Sequence, residues 1–138
     1  MKNNYLLIAS IISYLISLGI PVHFEFDKYI SVIGLVYLSL GWVTFPHLDF
    51  FCWLGNFTLI FSWIFCKFKI GIILSFITPI LMTIYAINFL FELDILDAQQ
   101  YYYPLFGYWF WLLSSILLII STIINYKTKK IRKPTDIE

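Results

Sequence analysis

The chain has 138 residues, of which 61% are hydrophobic and only 12% charged, with a formal net charge of +1 and a mean hydropathy of +0.86. A soluble domain carries about 25% charged residues, so the composition excludes an ordinary soluble fold. It predicts one all-α integral membrane protein over residues 1–138, a four-helix transmembrane bundle with a short re-entrant or interfacial segment on the outer side.

Residues 5–22 are the first expected span. Ser10, Ser13 and Ser17 share one helical face, with Tyr14 beside them, and small hydroxyl residues there let a second helix approach closely. Lys2, the apolar run and the small residues Ser17 and Gly19 give this segment the outline of a signal peptide. The A-x-A-like cleavage site is missing, so it is expected to be retained.

In His23-Phe24-Glu25-Phe26-Asp27-Lys28, polar and aromatic residues alternate, which predicts an extended stretch with two unlike faces. Residues 29–45 carry no charge, and Ser31, Gly34, Tyr37, Gly41 and Thr44 line up on one small, partly polar face. Pro46 to Asp49 then turns the chain into the next span, 50–66, where a buried Asn56 is expected to bond across to another helix. Cys52 and Cys66 are fourteen residues apart, about 21 Å along a helix, so they are packing residues and not a disulfide pair.

Lys67 and Lys69 separate that span from the next, 70–91. There Gly71 and Ser75 make a small-xxx-small pair, and Pro79 is expected to kink the helix. Glu92 to Pro104 reads as an acidic, tyrosine-rich loop with Asn88 just before it. The last span is 105–126, followed by a basic cytoplasmic tail over 127–138.

Basic residues beside spans stay on the cytoplasmic side. If 29–45 crossed fully, Lys67, Lys69 and the tail would fall opposite Lys2. Four crossings put all of them on one side, with both termini cytoplasmic.

His23, Glu25, Asp27, His47 and Asp49 are candidate metal ligands, since imidazole with carboxylate suits Zn²⁺ or a similar cation. Neither HxExD nor HxD is a named metal signature, and a solvated acidic rim is the competing reading. The sequence has no Gly-rich phosphate loop, HExxH, GxSxG or Cys–His pair, so no cofactor and no enzyme are expected. The short basic tail gives nucleic acid no further surface. Interfacial aromatics gather at the outer end, which predicts an outward, acid-rimmed cavity built from Trp42, Trp53, Asn56, Glu92, Tyr103, Tyr108, Trp109 and Trp111. It would suit a cationic or amphipathic ligand; the alternative is a filled aromatic belt without a cavity.

Gly41–Trp42, the W-L-x-N of Trp53–Asn56, Ser62-Trp63-Ile64 and the G-Y-W-F-W-L of Gly107–Leu112 together resemble a loose group of uncharacterised small bacterial multi-pass membrane proteins, over residues 34–120. The sequence departs from that group at Phe57, where proline is common. The resemblance implies a bacterial inner-membrane setting and transfers no site residue. Two functions are expected from the whole. One is a protein acting through helix–helix contacts, as a homo-oligomer or with a larger membrane partner. The other is a small oligomeric transporter or channel subunit using Pro79, Asn56, Asn88 and the Gly34–Gly41 segment.

Overall fold

The computed structural model describes residues 4–25, 30–95, 102–104 and 106–131. Five α-helices, α1 (Asn4–Gly19), α2 (Gly34–Leu40), α3 (Leu48–Ile64), α4 (Lys69–Ile95) and α5 (Phe106–Ile131), account for most of them. Three short strands, β1 (Pro21–Glu25), β2 (Ile30–Ile33) and β3 (Tyr102–Pro104), form an antiparallel sheet in the order β2-β1-β3. The alternating stretch is thus extended at least through Glu25. The sheet itself was not foreseen, and it closes one end of a helical body.

Side-chain contacts fix the helix directions. Ser10 Oγ donates to the Ser114 carbonyl at 2.8 Å and Ser13 Oγ to the Phe110 carbonyl at 2.9 Å, so α1 and α5 are antiparallel. Thr58 and Thr78 hydroxyls meet at 2.8 Å and Ser62 Oγ donates to the Gly71 carbonyl at 2.7 Å, which sets α3 against α4. Ser75 and Thr122 hydroxyls, 3.0 Å apart, join α4 to α5. Between α1 and α3 the seam is filled by long side chains, with Trp63 Nε1 donating to Ser10 Oγ at 3.0 Å.

The Phe65–Phe68 turn, the start of α1 and the end of α5 therefore share one end, with Lys67, Lys69 and Lys127. Gly19, the sheet, and the starts of α3 and α5 share the other. The segment from Gly34 through α2 and the 3₁₀ turn Gly41–Thr44 keeps to the sheet end throughout. Gly34 rests on Ser17 and Leu18 of α1, and Gly41 rests on Trp53 of α3.

The interior is unusual for its hydroxyls. Ser10, Ser62, Ser75, Thr78, Ser114, Ser115, Ser121 and Thr122 are fully buried, while Ile12, Leu15, Phe61, Ile73, Phe76, Ile80 and Ile116 are exposed. A chain folded in water would bury the second set first. Many of the hydroxyls also bond the carbonyl three or four residues back, as Thr78 does to Leu74 and Thr122 to Ile119, which satisfies them without water.

Among the described residues two stretches, Lys69–Ile87 and Phe106–Thr128, are long and apolar enough to cross a membrane, and only 22% and 39% of an apolar 18-residue window in each is buried. These faces left open are compatible with a membrane protein. α1 and α3 have 16 and 17 residues, about 24–26 Å of helix. α1 stops before its expected end because Ile20-Pro21 enters β1. α4 and α5 instead run past 91 and 126, so Glu92 lies in a helix and not in a loop, and the start of the basic tail is the last turn of α5. α4 is continuous through Pro79.

Candidate functional site

A partly open cavity of about 50 Å³ lies at the sheet end, where α1, α2, α3, α4 and α5 converge. α2 and the 3₁₀ turn cover it. This arrangement depends on two glycines. A Cβ at Gly34 would strike the Ser17 carbonyl, and one at Gly41 would strike the indole of Trp53. Because neither glycine carries a side chain, the segment lies flat on α1 and α3. Trp53 Nε1 then donates to the Leu38 carbonyl at 2.9 Å and ties the cover down. On α2, Tyr37 places its hydroxyl 2.7 Å from that of Tyr85 on α4, with the rings edge to face.

No lining residue carries a formal charge. The walls are aromatic, and their polar tips are largely engaged with one another. The Tyr14 hydroxyl donates to Asn56 Oδ1 at 3.1 Å, and Asn56 Nδ2 donates to the Trp53 carbonyl at 3.0 Å. The Tyr108 hydroxyl donates to the Met82 carbonyl at 3.1 Å. One donor stands apart: the Trp111 indole N–H is buried and has no partner among the described residues. Leaving such a group unpaired costs about 1–3 kcal/mol.

The volume limits what can enter. A closed void of about 150 Å³ holds a benzene ring, and a water needs roughly 10–15 Å³. This cavity therefore has room for a few waters or for the slender end of a chain.

Of the aromatic candidates, Trp53, Tyr108 and Trp111, together with Asn56, line the cavity. Trp42 and Trp109 do not, being 60% and 55% exposed. Helical phase explains the second: Tyr108 and Trp111 are three residues apart and share a face, whereas Trp109 is about 100° away. For Trp42 the reason is its neighbour, since turning Gly41 inward sends the next side chain out. The side chains of Glu92 and Tyr103 lie outside the described residues, and so does any acidic rim they would form.

The small face of 29–45 supplies Gly34, Tyr37, Gly41 and Thr44 to the cavity. Its Ser31 belongs instead to β2, paired with Phe24. Tyr85 went unforeseen. It is the single tyrosine in the stretch 70–91, and a phenol in so apolar a run needs a partner, which was the available signal.

Among the packing candidates, Ser10 and Ser13 bond α5, Ser17 bonds its own Tyr14 carbonyl, and Gly71 and Ser75 face α3 and α5. Cys52 and Cys66 are buried and form no disulfide. Of the metal candidates only His47 has a described side chain, and among the described residues no group of three or more His, Cys, Asp or Glu could hold an ion. His47 is exposed. Asp27 and the side chains of His23, Glu25 and Asp49 lie outside the described set, as does that of Asn88.

Tyr14→Phe and Asn56→Ala should be coupled. A double-mutant cycle read by unfolding in a bilayer mimetic should give about 0.6 kcal/mol and no more than about 1.7; strict additivity would mean the hydrogen bond contributes nothing.

No family model matches the chain, and no curated protein and no solved structure does so either.

Proposed function

We propose that this is a bacterial inner-membrane protein that crosses the bilayer four times, through α1, α3, α4 and α5, and acts by binding rather than by catalysis. Its ligand site is the cavity under α2, which faces outward, and both termini are cytoplasmic. One observation carries the reading. The segment from Gly34 to Thr44 starts and finishes at the end opposite Lys67, Lys69 and Lys127, and roofs an uncharged aromatic cavity there. Basic residues mark the cytoplasmic side, and apolar walls with a few placed polar groups make a binding site. The short helices α1 and α3 fit a bilayer that thins locally around them, at a modest free-energy cost per ångström. The lipid-facing sides of the helices leave room for a second copy or a larger membrane partner.

Cysteine accessibility tests the topology. With Cys52 and Cys66 removed, single cysteines at Asp49 and Asp97 should label from outside the cell. Those at Phe68 and Thr128 should label only after permeabilisation. A cytoplasmic Asp49 would mean that 29–45 crosses, and the outward cavity would be lost with it.

The buried hydroxyls running from Ser17 through Ser13 and Ser10 to Ser114 favour a second reading, a transporter or channel subunit that forms its path by oligomerising. Ion flux into liposomes above protein-free controls would promote it. Flux no greater than the controls, from a protein that still binds ligand, would remove it.

A further inference from the structure

α2 and the 3₁₀ turn stand in a gap of the bundle. α1 packs on α5, α5 on α4 and α4 on α3, whereas the seam between α1 and α3 is held by long side chains. In the half nearer the sheet, α2 fills that seam, with Gly34 on α1 and Gly41 on Trp53 of α3. Its depth follows from its partners. Trp53, which bonds the Leu38 carbonyl, is five residues past Leu48, the start of α3. Tyr85, which meets Tyr37, is ten residues before Ile95, the end of α4. These offsets are about 7.5 and 15 Å along the helices. One short helix, set below the helix ends, is thus the wall between the cavity and whatever lies outside the α1–α3 seam.

The side of that wall turned away from the cavity is built for hydrocarbon. Leu35, Val36, Leu40, Trp42, Val43 and Phe45 are exposed, and residues 29–45 carry no charge. The exposed hydroxyl among them is satisfied within the helix, Ser39 Oγ donating to the Leu35 carbonyl at 2.8 Å. Past the 3₁₀ turn, Phe45 N donates to the Trp42 carbonyl and His47 N to the Thr44 carbonyl, as backbone beside lipid requires. Phe57, exposed and edge to face with Trp53 at 4.8 Å, extends the apolar surface onto α3. Six large apolar side chains on one short segment would be a liability in water.

Taking the chain as a four-span protein and the cavity as its binding site, we propose that the ligand is an acyl chain of an outer-leaflet lipid, entering sideways between α1 and α3 past α2. No lining residue is charged, so a charged headgroup stays at the membrane surface and only the chain is taken in. The Tyr37 and Tyr85 hydroxyls, 2.7 Å apart, tie α2 to α4 across the cavity, and this pair has to part for the chain to pass.

The test uses the full chain in phosphatidylcholine nanodiscs, with and without bromine near the middle of one acyl chain, since bromine quenches an indole on contact. The five tryptophans are separated by difference, using single Phe variants. If Trp53→Phe does not fold, Trp53 is the remainder after Trp42, Trp63, Trp109 and Trp111 are subtracted. Trp42 should lose most of its emission to bromolipid. Trp53 should be quenched as well, and more strongly in Tyr37→Phe or in Tyr85→Phe, either of which removes the hydroxyl pair, while Trp42 stays unchanged. The proposal is overturned if bromolipid spares Trp42, because the wall then faces water. It is overturned too if bromolipid spares Trp53, or quenches it equally with and without the hydroxyl pair, since that is contact from outside the wall. Acrylamide, a small neutral quencher in the aqueous phase, then separates the two claims. A Trp53 that acrylamide quenches leaves the cavity as a site loaded from water, whereas one it does not reach removes the binding reading as well.

Discussion

Gly34→Val should detach α2 from the bundle and lower stability by about 3 kcal/mol, the upper end for overpacking a filled site. The atom a side chain at 34 would meet is the backbone carbonyl of Ser17, with the Leu18 Cα next to it. A carbonyl in the last turn of α1 cannot rotate aside as a side chain can. Gly34 N also donates to the Ile20 carbonyl at 3.3 Å, so displacing residue 34 disturbs the join between α1 and β1. Gly41→Ala provides the contrast. Its Cβ meets the Trp53 indole, a side chain that can swing, and the cost should be smaller, mainly the Trp53–Leu38 hydrogen bond, typically about 1 kcal/mol. The check is denaturant unfolding in detergent, followed by the fluorescence of the five tryptophans together. A Gly34→Val protein as stable as the parent would show that α2 does not rest on α1.

Hydropathy encodes where this chain's helices lie better than which way their side chains face. Helix positions were legible: the apolar runs place α1, α3, α4 and α5, and the lysines mark where two of them meet. The flat face of Gly34, Tyr37, Gly41 and Thr44 was legible as well, because small residues at helical spacing announce a close neighbour. Azimuth was not read. Treating all outer aromatics as one set brought in Trp42 and Trp109, although their phase relative to Gly41 and Tyr108 turns them outward. Helix ends were misread for a different reason. Glu92 and Lys127 limit the apolar stretch, but a charge does not stop a helix once the backbone ladder is formed, and α4 and α5 continue to Ile95 and Ile131. The sheet was the least accessible feature. Alternation flagged an extended strand, yet its partners are Ile30–Ile33 and the distant Tyr102–Pro104, and nothing local in His23–Glu25 names either.

The seam between α1 and α5 should show whether close packing or hydrogen bonding holds the bundle together. Ser10 is fully buried there, donating to the Ser114 carbonyl at 2.8 Å and accepting from Trp63 Nε1 at 3.0 Å. Ser10→Ala removes the hydroxyl and leaves the Trp63 N–H without its acceptor. Among membrane helices such bonds average only about 0.6 kcal/mol, so the alanine variant should lose about 1 kcal/mol or less. Ser10→Leu removes the same bonds and adds a branched side chain between helices that approach closely because both faces are serine. It should cost about 3 kcal/mol in all, most of it from overpacking. Unfolding of both variants in the same bilayer mimetic gives the ratio directly. A leucine variant several times more damaging than alanine means the serines are there for their size. Equal losses would mean that the Trp63–Ser10–Ser114 network joins α3, α1 and α5, and that steric closeness is secondary.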